Sequence, residues 1–255
     1  MKVTTWNVNS LNVRLPQVLD WLAREQPDVL ALQEIKMVDE KFPHAEISAA
    51  GYRALVSGQK TYNGVALLTR VEATHPTHDI PGIDDPQRRV LAATVGGLRV
   101  INLYVPNGES VESDKYQYKL KWLDRLVAWL AAELVVHARV VVLGDFNIAP
   151  EPRDVHDPAA WEGHVLFSEP ERTMFRRLLD LGLCDTFRLF PQDERAFTWW
   201  DYRMNGFKRN LGLRIDHILA SRELCTRVRS CRIDKTPRAN ERPSDHAPVV
   251  AEFDA

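Results

Sequence analysis

The chain has 255 residues, 45% of them hydrophobic and 27% charged, with a formal net charge of −2 at pH 7. This composition excludes a long disordered span and suits one domain over residues 1–255 with a sizeable core. No apolar run approaches the roughly eighteen residues of a membrane span, and Met1–Trp6 enter a strand pattern without a signal-peptide core. A cytoplasmic, monomeric protein that does not engage a membrane is therefore expected. Cys184, Cys225 and Cys231 form no CxxC pair, and their odd number suggests buried reduced thiols rather than a disulfide framework or zinc ribbon.

Residues 2–8 read as a strand ending in Asn7 and Asn9. Leu15, Val18, Leu19 and Leu22 recur at helical spacing, with Pro16 near the helix start and Pro27 beyond its end. Residues 28–34 form an apolar strand ending in Glu34, and the β-α-β order suggests a crossover unit. An Asn63-Gly64 turn precedes a strand over 64–69. Arg88–Val95 and Leu98–Val105 flank Gly96-Gly97 as a hairpin, followed by Pro106-Asn107-Gly108. Leu123, Leu126, Val127, Leu130 and Leu134 mark a long amphipathic helix. It leads into residues 139–148, where four apolar β-formers precede Gly144, Asp145 and Asn147. Residues 150–165 are polar and proline-rich and read as a surface loop. Glu171–Leu181 is helical and stopped by Gly182. An aromatic cluster, Phe197, Trp199, Trp200 and Tyr202, precedes a strand over 213–220 that contains Asp216. Ser244-Asp245-His246 leads into a last strand, Pro248–Phe253. Helices interleave with strands and a hairpin, which means mixed sheets.

Asn7, Glu34, Tyr104, Asp145, Asn147 and Asp216 all fall at or near predicted strand ends, and Asp245-His246 falls just before a strand. Such edges gather ligands in α/β sheets. Converged, these residues make an oxygen-rich cleft suited to Mg²⁺ or Mn²⁺ rather than Zn²⁺. HExxH, a P-loop, GxSxG and GxGxxG are all absent from the sequence. A hard cation, a carboxylate base and a histidine suit hydrolysis of a phosphate ester, because anionic phosphoryl oxygens repel hydroxide unless they are screened. Residues 201–242 carry eleven Lys/Arg against five Asp/Glu. Such a stretch fits a phosphate backbone, or simply a solvated face.

Seven segments, TWNVNSL, LQEIK, NGVALLTR, INLYVPNG, VVLGDFNIAP, RIDHILAS and SDHAPV, resemble in their order the exonuclease III family of DNA-repair nucleases, within the DNase I-like phosphodiesterases. The resemblance implies a four-layer α/β sandwich, with two mixed β-sheets packed face to face and flanked by helices. It implies a Mg²⁺ or Mn²⁺ cofactor and duplex DNA with abasic sites, nicks or 3′ ends as partner. The implied reaction is cleavage at abasic sites, or removal of 3′-blocking groups and 3′ nucleotides. Matched motif by motif, Glu34 resembles the principal metal ligand and Asn7 a supporting one. Asp145 resembles the general base that orients water, and Asn147 would hold the same water, a phosphoryl oxygen or the metal. Tyr104 would contact the phosphate or leaving group. His246 would donate to a phosphoryl oxygen with Asp216 fixing its tautomer, while Asp245 would bind metal or hold its neighbours. Trp199, Leu213 and Ile215 align with an apolar pocket for a base-free sugar. Asn107, Arg203, Lys208 and Arg209 would hold the DNA backbone. His217 and the remaining histidines are expected in structural or surface roles.

Strand alternation sets a difficulty, since Leu213 and Ile215 should face away from Asp216 unless the strand ends or bends there. Asn9 stands where some family members carry aspartate, which implies weaker metal binding. Glu109-Ser110 offer the duplex no basic side chain. His164, in the loop after Trp161, would narrow the space for an abasic nucleotide. A specialised 3′-phosphatase or 3′-exonuclease with weak abasic-site cleavage is thus a second expectation. A phosphodiesterase acting on a non-DNA phosphate ester is a more remote one. A non-catalytic binding module would require loss of Glu34, Asp145 or His246, and all three are present.

Overall fold

The structure is a computed structural model that describes residues 1–254. In chain order its elements are Lys2–Asn7 (β1), Leu11–Glu25 (α1), Val29–Gln33 (β2), His44–Ala49 (α2), Arg53–Ser57 (β3), Val65–Thr69 (β4), Ala73–Thr77 (β5), Val90–Val95 (β6), Leu98–Tyr104 (β7) and Asp114–Val136 (α3). Then come Val140–Asp145 (β8), Pro158–Trp161 (α4), Glu169–Asp180 (α5), Cys184–Asp185 (β9), Trp199–Trp200 (β10), Gly212–Leu213 (β11), Asp216–Ala220 (β12), Arg222–Cys225 (α6), Val228–Ile233 (β13) and Val249–Phe253 (β14). One six-stranded sheet has the order β13-β14-β1-β2-β4-β3, and the other β5-β6-β7-β8-β12-β9. Each sheet has one parallel pair, β1 with β2 and β7 with β8, joined through α1 and α3.

Strand periodicity explains the layering. Val29, Ala31, Val65 and Leu67 meet Leu91, Ala93, Val100, Val141, Leu143 and Ile218 in a core between the sheets. Their neighbours point outward: Leu30, Leu32, Ala66 and Leu68 pack on Val18, Trp21 and Leu22 of α1. On the other side Ala92, Ile101, Val140 and Val142 pack on Leu123, Leu126 and Leu130 of α3 and on Phe175 and Leu178 of α5. The expected four-layer α/β sandwich follows, and the central strands read as continuous apolar runs because both faces are buried. Each buried Leu, Ile or Val contributes roughly 1.5–3 kcal/mol. One polar tie crosses the core: Gln33 donates to Asn102 Oδ1 at 2.8 Å, and Asn102 donates to the carbonyls of Leu32 and Ala66 at 3.0 and 2.9 Å.

Several expectations need correction. Helix α1 starts four residues before Leu15 because Ser10 and Leu11 N–H groups bond to Glu34 and Ile35 carbonyls, so tertiary pairing sets the start. The 150–165 segment is more than surface loop: Asp154 is buried against Arg214 and Arg188, and Val155 bridges to Leu213. Strands β3, β5 and β13 carried no clear signal, and β5 is an edge strand interrupted by Pro76. The cysteines also differ: Cys184 and Cys225 are disulfide-bonded, and Cys231 alone is a buried free thiol. Strand pairing brings β9 beside the end of β12, where α6 begins, and this joins residues 41 apart in sequence. None of the helices among the described residues is long and apolar enough to cross a membrane.

Candidate active site

The carboxyl ends of β1, β2, β7 and β8 and the amino ends of the antiparallel β12 and β14 meet at one edge of the sandwich. The registers align Asn7 with Gln33, Tyr104 with Asp145, and Asp145 with Asp216. Gly144 makes the approach possible. Its φ is +151°, and a Cβ there would lie 1.9 Å from the Leu103 carbonyl oxygen. Glu34 and Asn147 follow their strands in left-handed backbone, with φ of 51° and 49°. Non-glycine residues in that region carry strain, which the surrounding bonds must hold.

Asn7 stands between the two acids, its Nδ2 donating to Glu34 Oε1 and Asp145 Oδ2, both at 2.9 Å. Its Oδ1 accepts the Asn9 N–H at 3.0 Å. The other oxygen of Asp145 accepts the Asn147 N–H at 2.9 Å. Asn147 Nδ2 donates to the Val105 carbonyl at 3.0 Å, and its Oδ1 accepts from Asn107 at 3.1 Å. Burial pushes the Asp145 carboxyl up, and the neighbouring His246 opposes the shift. His246 Nδ1 lies 2.9 Å from Asp216 Oδ2, while Nε2 lies 3.8 Å from Asp145 Oδ2. Burial disfavours its charge, but Asp216 and Asp145 outweigh this and raise the imidazole above its ordinary range. Burial, then Glu34 and Asp145, hold the Tyr104 phenol well above its ordinary value, so it remains a proton donor beside Glu34.

Glu34, Asp145 and His246 each bring a ligand-type atom to within 4.8 Å of the others. His246 is the poor ligand of the three, since a charged imidazole has no lone pair to give. The carboxylates remain, bridged by the Asn7 amide nitrogen, and their hard oxygen donors fit a divalent cation. Asp245 accepts from Asn9 Nδ2 at 2.9 Å and from Trp199 Nε1 at 3.0 Å.

The apolar residues also come together. Leu213 and Ile215 are buried with Ala149, Val155, Leu166 and Phe167, and Trp199 packs at the margin. The alternation difficulty disappears because β11 ends at Leu213 and β12 starts at Asp216. Between them the chain bends over Thr198, whose Oγ1 accepts both the Ile215 and Asp216 N–H groups at 3.1 Å. His164 is exposed and lines a small cleft with Glu109, Ser110, Glu162 and Val165.

Eight of the eleven Lys/Arg of the basic stretch are exposed. Arg214 and Arg238 are buried, and Arg203, Arg229 and Arg232 pair with Asp201, Asp254 and Glu25. Arg203, Lys208 and Arg209 are among the exposed ones. His217 is structural as expected: Nε2 lies 2.9 Å from the Ile148 carbonyl, and Phe146 and Phe175 flank the ring. Two residues escaped sequence reasoning. Lys36 pairs with Glu34 at 2.9 Å and donates to Asn9 Oδ1 at 2.6 Å. Lys119 is fully buried beneath Asn107 and Asn147. Its signal was a lysine three and four residues before Trp122 and Leu123, on the apolar stripe of α3.

Paired carboxylates beside a carboxylate-held imidazole, at the edge of two face-to-face mixed sheets, define the class: a phosphoester hydrolase on a four-layer sandwich. Residues 4–246 match the Endonuclease/Exonuclease/phosphatase family, and the chain belongs to it, within the exonuclease III group of hydrolytic nucleases. It is 40% identical over 266 residues to exodeoxyribonuclease III of Haemophilus influenzae, covering 99% of this chain and 100% of the relative. A structure of the 3′ phosphatase NExo from Neisseria bound to a product DNA hairpin is 50% identical, with a TM-score of 0.98 and full coverage of both chains. An AP endonuclease from Archaeoglobus fulgidus is 40% identical, with a TM-score of 0.96 and full coverage of both chains.

Proposed function

We propose that the protein is a DNA-repair phosphodiesterase that works mainly at 3′ ends of duplex DNA, removing 3′-phosphates and 3′ nucleotides, and cleaves internal abasic sites less well. The observation that carries this reading is the placement of His164 on the loop whose Leu166 joins the apolar group of Leu213, Ile215 and Trp199, with Trp199 bridged to His246. Such a wall suits a sugar without a base. His164 lies on the loop that packs this wall, where an imidazole restricts a continuing strand more than a terminal phosphate. The 50% identity to a 3′ phosphatase points the same way.

In this reading Glu34, with Asn7, Asp145 and Asn147, would hold Mg²⁺ or Mn²⁺. The cation supplies charge to screen the phosphoryl oxygens. Asp145, with one oxygen held by the Asn147 N–H, takes the proton of the attacking water and aims it. Asn147 and Asn107 present amides to the phosphate. Imidazolium His246, fixed through Nδ1 by Asp216, donates from Nε2 to a phosphoryl oxygen as negative charge builds. Tyr104 donates its phenolic proton toward the phosphate or departing oxygen. Trp199, partly exposed over the buried Leu213 and Ile215, would seat the sugar, and Arg203, Lys208 and Arg209 would follow the backbone beyond it. The protein acts in this reading as a cytoplasmic monomer.

The test offers one preparation three duplexes: a 3′-phosphate nick, an internal abasic site and an undamaged 3′ end, each with Mg²⁺, with Mn²⁺ and with EDTA. Fastest release from the 3′-phosphate and none in EDTA is expected. His164→Gly should raise abasic-site cleavage about tenfold or more. Equal abasic-site rates in His164→Gly and wild type remove His164 from the explanation.

A further inference from the structure

Lys119 sits on α3 with none of its side chain exposed, and its ion-pair partner Glu171, on α5, is equally buried. An ammonium has three donors and no acceptor. Here each donor has a distinct target: the Asn107 carbonyl at 3.0 Å, the Asn147 carbonyl at 2.7 Å, and Glu171 Oε1. Two separate loops, one after β7 and one after β8, are thus tied to one atom.

Glu171 carries the tie to a third loop. Its Oε1 accepts the Leu166 N–H at 3.0 Å, and its Oε2 accepts the Ser168 N–H at 3.1 Å and the Ser168 hydroxyl at 2.5 Å. Leu166 is in left-handed backbone with φ of 76°, and its carbonyl accepts the Ala149 N–H at 2.7 Å. That bonds a strained residue of the apolar wall directly to Ala149, two positions after Asn147. The turn carrying His164 closes onto the same segment, with the Phe167 N–H donating to the His164 carbonyl at 3.1 Å.

We propose that the Lys119–Glu171 pair is a positioning element that sets the spacing between the phosphate-side asparagines, Asn107 and Asn147, and the wall loop 164–168, and thereby sets the preference between 3′-terminal and internal substrates. The proposal deepens the functional reading above and rests on it. Neither residue touches the reacting atoms. A pair placed only for stability has no need to bind both asparagine loops and the wall at once. An apolar pair of similar volume could fill the space, and buried ion pairs are often replaced that way without loss of stability.

The test therefore uses the double variant Lys119→Met/Glu171→Leu and, separately, Glu171→Gln, each in the whole chain with Mg²⁺. Melting temperature and circular dichroism establish which variants fold. Rates on the 3′-phosphate nick and on the internal abasic duplex give kcat and KM for each. The expected result is that each folded variant changes the ratio of the two kcat/KM values at least tenfold, chiefly through kcat. Lys119→Arg in the wild-type background, which keeps the charge, should shift the ratio less. A folded variant with the wild-type ratio and kcat overturns the proposal. Should the double variant fail to fold, the shape-preserving Glu171→Gln decides alone. Should wild type prefer the abasic duplex, the functional reading fails, while the variants still show whether the pair governs the ratio.

Discussion

The Nδ1 of His246 lies 2.9 Å from Asp216 Oδ2, and its Nε2 faces Asp145 at 3.8 Å. One imidazole is therefore held by one carboxylate and presented beside a second. In the proposed mechanism Asp216 anchors and charges the ring, and Asp145 is left to handle water. Asp216→Asn should cut kcat by roughly 10²–10⁴, the range typical of proton-transfer groups. The pH dependence has a definite sign. Asp216 raises the His246 pKa, so the donor form persists above the usual histidine range and is lost as pH rises through the raised value. The alkaline limb of the kcat profile should move to lower pH in Asp216→Asn. An unmoved limb with unchanged kcat contradicts this role for the pair.

Gly144→Ala tests the steric basis of the site. The added Cβ would meet the Leu103 carbonyl at 1.9 Å in a backbone with φ of +151°. The strands β7 and β8 must then separate, which should cost roughly 2–4 kcal/mol. Thermal melting should report a fall of roughly 5–15 °C, together with loss of turnover because Asp145 moves with the strand.

Acid sensitivity should track His217. Burial, then the Arg214 charge, lowers its pKa to about 4 from the ordinary 6.5. The unfolded chain binds this proton first, so stability from the neutral ring is complete above pH 6.5 and is lost as pH falls to about 4. The loss across that window should be on the order of 3 kcal/mol. Urea unfolding from pH 7 to pH 4 should be visibly flatter for His217→Gln than for wild type, although the variant starts lower.

The fold was legible because its central strands are apolar on both faces and bounded by polar residues or glycine, as Val140–Asp145 shows. Glu34, Asp145, Asn147 and His246 were legible because each sits at a strand end within a distinctive motif. The peripheral strand β5 was not, because its exposed Thr74 to Pro76 face no core and carry no alternation. The basic stretch was legible only as a count, because composition does not record pairing: most of its cations are exposed, but Arg214 is bound to Asp154 and Asp185 inside the molecule. Lys119 was passed over because a single buried lysine among apolar neighbours resembles a snorkelling surface residue until its three acceptors are in place. The Cys184–Cys225 bond was hidden for a related reason, since only strand pairing brings the two together.

Asp145→Asn offers the most direct measurement. The substitution keeps the shape of the side chain and removes the base. Single-turnover release of phosphate from a 3′-phosphate duplex in Mg²⁺ should fall by about 10³ or more, while duplex affinity, followed by fluorescence anisotropy, should stay within about threefold of wild type. Turnover near the wild-type rate in the folded variant would contradict Asp145 as the group that activates water.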